Sequence, residues 1–413
     1  MMGASEHFDA LETRDPAERE RDLMARLPAQ IAHAKARSPW FAESLRDVDA
    51  AQIASREALA QLPVLRKHEL IELQKRARPF GGLAASTWGR LGRVFASPGP
   101  IYEPEGRVKD YWRTARALYA AGFRSGDLVH NSFSYHMTPG GWMLEAGALA
   151  LGCTVFPGGV GQTEQQVQAM ADLQPHGYVG TPSFLRILLD KADELGVTIP
   201  TLKKALVSGE AFLPPVREAF VARGIAGFQA YATADAGLIA YETPAREGLV
   251  VDEEVILEIV RPGTGIPVAA GEVGEVVVTL FNSDYPLIRF GTGDLSAVLP
   301  GVSSCGRTNT RIRGWMGRAD QTAKIKGMFV HPEQVAALVK RHPEIRRARL
   351  VVTNPDSSDR MVLHCEAAPA EGLAEAVAVS LRELTKLRGE VAFVAEGGLP
   401  NDGKVIDDQR KYD

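Results

Sequence analysis

The chain has 413 residues, 45% of them apolar and 24% charged, an ordinary globular composition with length for about two or three domains. A formal net charge of −4 gives a polyanion nothing to bind, so nucleic acid is not expected as a partner. Cys153, Cys305 and Cys365 stand alone with no CxxC pair, which argues against a disulfide framework and for a reducing, cytoplasmic setting.

The first residues mix acids and bases without an apolar run, so a signal peptide is not expected. The most apolar stretch, 140–157, contains Glu145 and several glycines and is too short to span a bilayer, so no membrane partner is expected. Residues 16–48 place Leu23, Leu27, Ile31 and Ala34 at helical spacing, and 1–62 reads as an N-terminal helical segment. A further helix is expected over 67–76. From 107 to 122 the apolar spacing and a closing glycine predict one long helix.

Strand and helix then alternate. LVHNSF (128–133) reads as a strand, 141–151 as a helix, CTVFPGG as a strand and turn, and Thr163 with Gln166 as a capping box opening a helix. GYVGT (177–181), KALVSG (204–209) and GFQAYAT (227–233) read as strands, separated by helices over 183–195 and 214–223. Such alternation predicts an α/β fold with a parallel sheet. After Gly248 the runs VILEIV, GEVGEVVVTL, PLIRF and LSAVL predict a β subdomain over 249–318. The α/β core is expected over 63–318, and a smaller, mobile α+β domain over 319–413, about the size of one domain.

The stretch 228–237, FQAYATADAG, ends an apolar strand in Tyr231, small residues and Asp235. It can deliver an aromatic face, a hydroxyl and an acid to one point at a strand's carboxyl end, where ligands of open α/β sheets bind. Three further signals stand in order with it: Ser208-Gly209-Glu210, the RFGTGD run ending in Asp294, and Gly317–Asp320. Asp294 is expected in a glycine-rich turn that follows a strand.

Taken together with YPLIRFGTGDLS, CGRTNTRIRGWMGRADQ and TPSF, these resemble the adenylate-forming superfamily, specifically its phenylacetate–coenzyme A ligase branch. The resemblance implies that the loop of Ser208, Gly209 and Glu210 lies against adenine, where glycine permits close backbone approach. It implies that Tyr231 stacks on the base beside Ala232, that Thr233 reaches a phosphate oxygen, and that Asp235 holds magnesium. Asp294 would accept both ribose hydroxyls, with Arg318 adding a charge-assisted bond. Asp320 matches the hinge of the C-terminal domain, and Gly327 the loop that closes the coenzyme A site. Lys404, in LPNDGKVIDD, would bridge the carboxylate substrate and the α-phosphate, stabilising charge that builds in the transition state. Tyr135, His136, Gly141, Thr181 and Pro182 would line the pocket of a flat acid. The implied activity converts an aryl or arylacetic acid with ATP to an acyl-adenylate, releasing AMP on transfer to coenzyme A. The partners are then a small carboxylic acid and a nucleotide, and the resemblance alone allows a homodimer.

Two stretches depart from the family. Its phosphate loop, Ser-Ser-Gly-Thr-Thr-Gly-Lys-Pro, corresponds here to RVFASPGPIYEPEGRVKDYW (93–112), a shortened stretch in which Ala96-Ser97 and Gly99 survive. The threonines and lysine are gone, Pro98 and Pro100 lack backbone donors, and Glu103 and Glu105 bring negative charge where a triphosphate needs positive. Asp235 is also one methylene shorter than the usual glutamate, and Ala232 replaces the usual glycine. At the branch's zinc positions stand Thr243, Val250 and Ser303, leaving Cys305 alone, so no zinc is expected. The damaged loop leaves two alternatives to ATP-driven ligation. One is an ATP-independent enzyme acting on an acyl-adenylate or coenzyme A thioester, and the other a catalytically silent nucleotide-binding homologue.

Overall fold

The computed structural model describes residues 6–98, 100–319, 321, 323–325, 328–353 and 359–410. The chain divides into two compact units. The first comprises Met1–Leu257, Val278–Phe290 and Leu299–Trp315, and the second Glu258–Val277, Gly291–Val298 and Met316–Asp413.

In the first unit, strands β1 (Arg93–Ser97) and β2 (Ile101–Glu105) form an antiparallel hairpin. The main sheet is built on β3 (Leu128–Asn131), β4 (Thr154–Pro157), β5 (Gly177–Gly180), β6 (Lys204–Val207) and β7 (Ala226–Thr233). In space they run β4-β3-β5-β6-β7, all parallel. Antiparallel strands β8 (Gly237–Glu242) and β9 (Leu249–Val251) extend the sheet beyond β7. Because strand side chains alternate between faces, Val179 and Leu206 join a core with Trp112, Phe123 and Leu144. Their neighbours Tyr178, Ala205 and Val207 join a second core with Leu185, Leu188 and Phe220. Helices thus cover both faces, which is why these strands read as nearly continuous apolar runs.

The chain leaves β3 for β4 on one side and returns to β5 on the other. The strand order therefore reverses at β3, and the crevice at its carboxyl end is the place such sheets bind ligands. Helix Pro182–Glu194 starts there because Pro182 supplies a preset first turn and Thr181 Oγ1 caps it, accepting the Phe184 amide at 3.3 Å.

One expected helix start is wrong, and one expected capping box is absent. The helix anticipated over 107–122 spans only Thr114–Ala120. Asp110 and Arg113 take positive φ, and the Asp110 carboxylate accepts the Thr114 and Ala115 amides at 2.9 and 3.0 Å, so the turn before the helix belongs to its cap. Helix Thr163–Leu173 does start as expected, but without a capping box, since its cap residue is Gln162 in the left-handed region. Gln166 instead donates to the Gly159 and Gly161 carbonyls at 2.9 and 2.6 Å.

In the second unit a sheet runs Glu390–Val394, Arg360–Glu366, Arg347–Thr353, Ile406–Asp408. Helices Pro332–Arg341 and Leu373–Thr385 belong to the same unit, and Val335, Leu338, Leu350, Leu363, Val377 and Leu381 are buried in one core. A short hairpin pairs Ala323–Ile325 with Met328–Val330. Ile406–Asp408 was not anticipated as a strand, yet it pairs in parallel with Leu350–Val352. The turn expected at Asp294 is itself a strand, Phe290–Ser296, because Thr292 and the apolar residues around it are buried and paired.

Candidate functional site

The motif of residues 228–237 lies where β7 turns into β8. The register slips between Tyr231 and Ala232, a bulge that re-aims the side chains just before the turn. Tyr231 is buried, and Ala232 and Thr233 are half-buried. Thr233 Oγ1 accepts the Ala236 amide at 3.0 Å, which shapes the turn holding Asp235. One strand over, Ser208 donates its hydroxyl to the Ala230 carbonyl at 2.8 Å, tying the end of β6 to β7. Glu210 Oε1 accepts the Ser183 amide at 2.6 Å, and a Cβ built on Gly209 would sit 3.6 Å from both Phe133 and Thr181. The expected adenine loop and the expected acyl pocket therefore adjoin within the first unit.

The acyl-pocket candidates surround the reversal point. Asn131 donates to the Tyr135 hydroxyl and to the Gly141 carbonyl, each at 2.8 Å, and Tyr135 donates to Glu145 Oε2 at 2.8 Å. Burial and then Glu145 keep the Tyr135 proton bound well above its ordinary range. A Cβ at Gly141 would lie 2.9 Å from the Tyr135 ring, so this close approach requires glycine. Thr181 and Pro182 flank the crevice as expected, whereas His136 is exposed, in a turn whose amide bonds to Ser134 Oγ at 3.1 Å.

Sequence reading missed His130. It is buried at the end of β3 and stacked on Phe156, with centroids 5.2 Å apart. Gln166 spends its amide hydrogens on two carbonyls, so its Oε1 accepts from His130 Nε2 at 2.7 Å. Burial lowers the His130 pKa, and the imidazole stays neutral. Gln166, standing 36 residues from His130, leaves no local signal for this pair.

In the second unit, Asp294 and Arg318 form an isolated bridge, with Arg318 Nη1 2.9 Å from Asp294 Oδ1. Gly293 has φ +76°, and any Cβ there would lie 2.7 Å from the Arg318 guanidinium, so glycine lets the arginine lie across the strand. Gln321 donates to the Arg318 and Gly403 carbonyls at 3.1 and 3.2 Å, while its Oε1 accepts the Val405 and Ile406 amides at 2.6 and 3.0 Å. Lys404 is thereby held beside Arg318, and both line a cavity of about 270 Å³ together with Asp402 and Asp407. Its ammonium pairs with Asp407 Oδ1 at 2.8 Å and is about half exposed. Gln321 was not singled out in the sequence, although it stands directly after Asp320. Asp320 and Gly327, the hinge and coenzyme A loop candidates, lie outside the described residues.

The replaced phosphate loop is the β1–β2 hairpin. Gln74 pins it, exchanging two 2.8 Å bonds with the Tyr102 backbone. The negative charge expected from Glu103 and Glu105 is largely cancelled. Arg93 neutralises Glu105 at 2.6 Å. Burial, and then nearby Asp235, push the Glu103 carboxyl up to about 8, so it stays protonated at neutral pH. A lysine outside the loop reaches this region: the Lys67 ammonium lies 2.6 Å from Asp235 Oδ2. Lys67 was passed over because it reads as an ordinary residue opening a helix.

A magnesium ion is the metal the fold implies. Among the described residues no group of three or more His, Cys, Asp or Glu is placed to hold a metal. Magnesium, however, needs only one or two carboxylates with water and phosphate oxygens. The second oxygen of Asp235, Oδ1, is buried without a hydrogen-bond partner among the described residues, and it fits that role.

A parallel sheet that carries Ser208, Tyr231 and Asp235 at its carboxyl edge, and a separate unit that carries Lys404, are the parts of an adenylate-forming enzyme. The family model described as AMP-binding enzyme matches residues 111–280. Phenylacetate-coenzyme A ligase from Thermus thermophilus is 31% identical over 370 residues, covering 85% of this chain and 82% of that protein. The ligase of the same name from Escherichia coli is 30% identical over 346 residues, covering 79% and 77%. A crystal structure of 2-hydroxyisobutyryl-CoA ligase with 2-HIB-AMP and CoA superposes with a TM-score of 0.72 at 25% identity, covering 99% of this chain and 94% of that one. The chain belongs to the phenylacetate–coenzyme A ligase family of AMP-forming ligases.

Proposed function

We propose that this chain activates a flat aryl or arylacetic acid with ATP and transfers the acyl group to coenzyme A. The carboxylate oxygen attacks the α-phosphorus and pyrophosphate leaves; the coenzyme A thiol, losing its proton, then attacks the acyl carbon and AMP leaves. The observation that carries this reading is the Asp294–Arg318 bridge held beside Lys404 by Gln321. It supports a ribose acceptor and a cation for the α-phosphate within one unit. Tyr231 would face adenine, Thr233 a phosphate oxygen, and Asp235 the magnesium ion, which when bound offsets polyphosphate charge. The Tyr135–Glu145 and His130–Gln166 bonds would fix the walls of the acid pocket, and the stacked His130 and Phe156 rings favour a planar substrate.

Residue 320 would serve as the hinge of a C-terminal domain beginning near 319, and Gly327 would close the thioester-forming site. Three free cysteines support a reducing, cytoplasmic setting, and family membership supports a homodimer. Among the described residues no helix is long and apolar enough to cross a membrane. Acid-dependent exchange of labelled pyrophosphate into ATP across a panel of aryl acids tests the first half-reaction, and acyl-CoA formation the second. Absence of exchange alongside intact AMP binding would overturn the reading and favour ATP-independent chemistry on an acyl-adenylate.

A further inference from the structure

Five polar side chains from four stretches of the chain, Lys67, the Ser97–Glu103 hairpin pair, Asp235 and Tyr285, cluster inside the first unit. Asp235, its side chain wholly buried, pairs with Lys67 at 2.6 Å. Glu103, also wholly buried, accepts the Ser97 amide at 3.2 Å through Oε2 and shares a hydrogen bond with the Ser97 hydroxyl through Oε1. It lies within electrostatic reach of both Asp235 and Lys67. Two buried atoms at this cluster have no hydrogen-bond partner among the described residues: Asp235 Oδ1 and the hydroxyl of Tyr285, which is 1% exposed. Tyr285 senses both Asp235 and Glu103 electrostatically, which places it at the same cluster.

Such unpartnered atoms are costly in a protein interior; the Tyr285 hydroxyl can donate to a phosphate oxygen, whereas Asp235 Oδ1, an acceptor only, suits the cation that accompanies a polyphosphate. An amide and a hydroxyl on one residue, with an ammonium close by, are the donors that suit phosphate oxygens. Here a carboxyl group of the chain itself takes the Ser97 pair.

We propose that Glu103 is a specificity-determining residue that competes with the polyphosphate end of the nucleotide for the Ser97 amide and hydroxyl, so that the chain binds a nucleoside monophosphate or acyl-adenylate in preference to the triphosphate. This rests on the adenylate-forming reading above. The adenosine half makes its own contacts and is unaffected by the competition. ATP enters by displacing the Glu103 carboxyl, and pyrophosphate departs as that carboxyl returns.

The test is calorimetric titration of the full chain with ATP, inorganic pyrophosphate and AMP, each with magnesium. Glu103→Ser removes the occupant and is expected to tighten ATP and pyrophosphate about tenfold, the worth of roughly one charge-assisted hydrogen bond. AMP affinity is expected to stay within about twofold, because AMP carries no β-phosphate. Glu103→Gln keeps a neutral group of the same size and is expected to behave like the parent chain. Unchanged ATP affinity in a folded Glu103→Ser chain, or equal shifts for ATP and AMP, overturns the proposal. Should that variant not fold, Glu103→Asp, which retracts the carboxyl by one methylene, is read by the same ATP-to-AMP ratio. If no acid supports pyrophosphate exchange but the ratio shifts, the ligase reading fails and this one stands. If exchange proceeds with an unmoved ratio, this one fails alone.

Discussion

Two charged assemblies in this molecule solve opposite problems. The Asp294–Arg318 and Lys404–Asp407 pairs of the second unit keep their cations close to half exposed, at 46% and 48%. In the Lys67–Asp235–Glu103 cluster of the first unit Asp235 and Glu103 are sealed from solvent, and Lys67 is only partly exposed. A half-exposed cation loses little on giving up its partner, which would suit groups proposed to hand their charge to a ligand. Buried pairs are held by the protein's own geometry, and removing one partner strands the other. The assembly that keeps the family's residues is the exchangeable one, and the assembly that has been rebuilt is the locked one.

The sharpest way to break this contrast is at Lys404. Lys404→Ala is expected to lower acid-dependent pyrophosphate exchange about 10²- to 10³-fold, the scale of losing one transition-state donor. The melting temperature is expected to stay nearly unchanged, because Lys404 is about half exposed and Asp407 keeps its ion pair with Arg349 at 3.2 Å. A large drop in melting temperature would put Lys404 in the structural class instead.

Lys67 should behave the other way round. Lys67→Ala is expected to cost about 3 kcal/mol of folding stability by leaving Asp235 buried without its cation. Lys67→Met combined with Asp235→Asn should recover much of that loss in denaturant unfolding. If the single substitution is harmless, the cluster is not locked.

Asp294→Ala is expected to weaken AMP binding by about 10- to 100-fold through lost charge-assisted hydrogen bonds, with Asp294→Asn in between. Calorimetry on the two variants reads this directly, and unchanged AMP affinity would remove Asp294 from the ribose site.

The smallest effect concerns a buried carboxylate outside both assemblies. Burial raises the Asp110 pKa from 3.8 to about 6, despite the two amides it caps. The folded state holds this proton more tightly than the unfolded chain does. Asp110 therefore contributes stability that is fully present below pH 3.8 and lost as pH rises through about 6. The expected slope is at most about 1.4 kcal/mol per pH unit in that window, and Asp110→Asn should flatten it in urea titrations across pH.

Much of the first unit was legible because its strands are short apolar runs closed by glycine or proline, and helices start where Pro182 and Pro214 stand. That the sheet is parallel follows from the alternation alone, whereas its strand order does not. What escaped were contacts whose partners lie far apart in the chain. Lys67 meets Asp235 across 168 residues, and no local pattern marks either as half of a pair. Glu103 and Glu105 were read by formal charge, whereas burial and Arg93 decide their charge in the fold. The strand containing Asp294 was read as a turn because two glycines flank Thr292, and their backbone freedom outweighed, on paper, the burial that makes the segment a strand. The motifs proposed to meet adenosine stand out in the sequence because each is contiguous, while the atoms that hold Lys404 in place are divided between Gln321 and the last strand.

Gln321 links residues on both sides of the expected pivot at 320. Its bonds to Val405, Ile406 and Gly403 stay within the segment that follows residue 320, whereas its bond to the Arg318 carbonyl reaches back to the segment before it. A turn of the chain at that point would carry Lys404 as a passenger on Gln321, and would break the two Gln321 bonds that reach back, from its side chain to the Arg318 carbonyl and from its amide to the Ala319 carbonyl. Gln321 is then a tether with two detachable ends, and shortening its side chain, as in Gln321→Asn, would loosen the first of them without altering Lys404 itself.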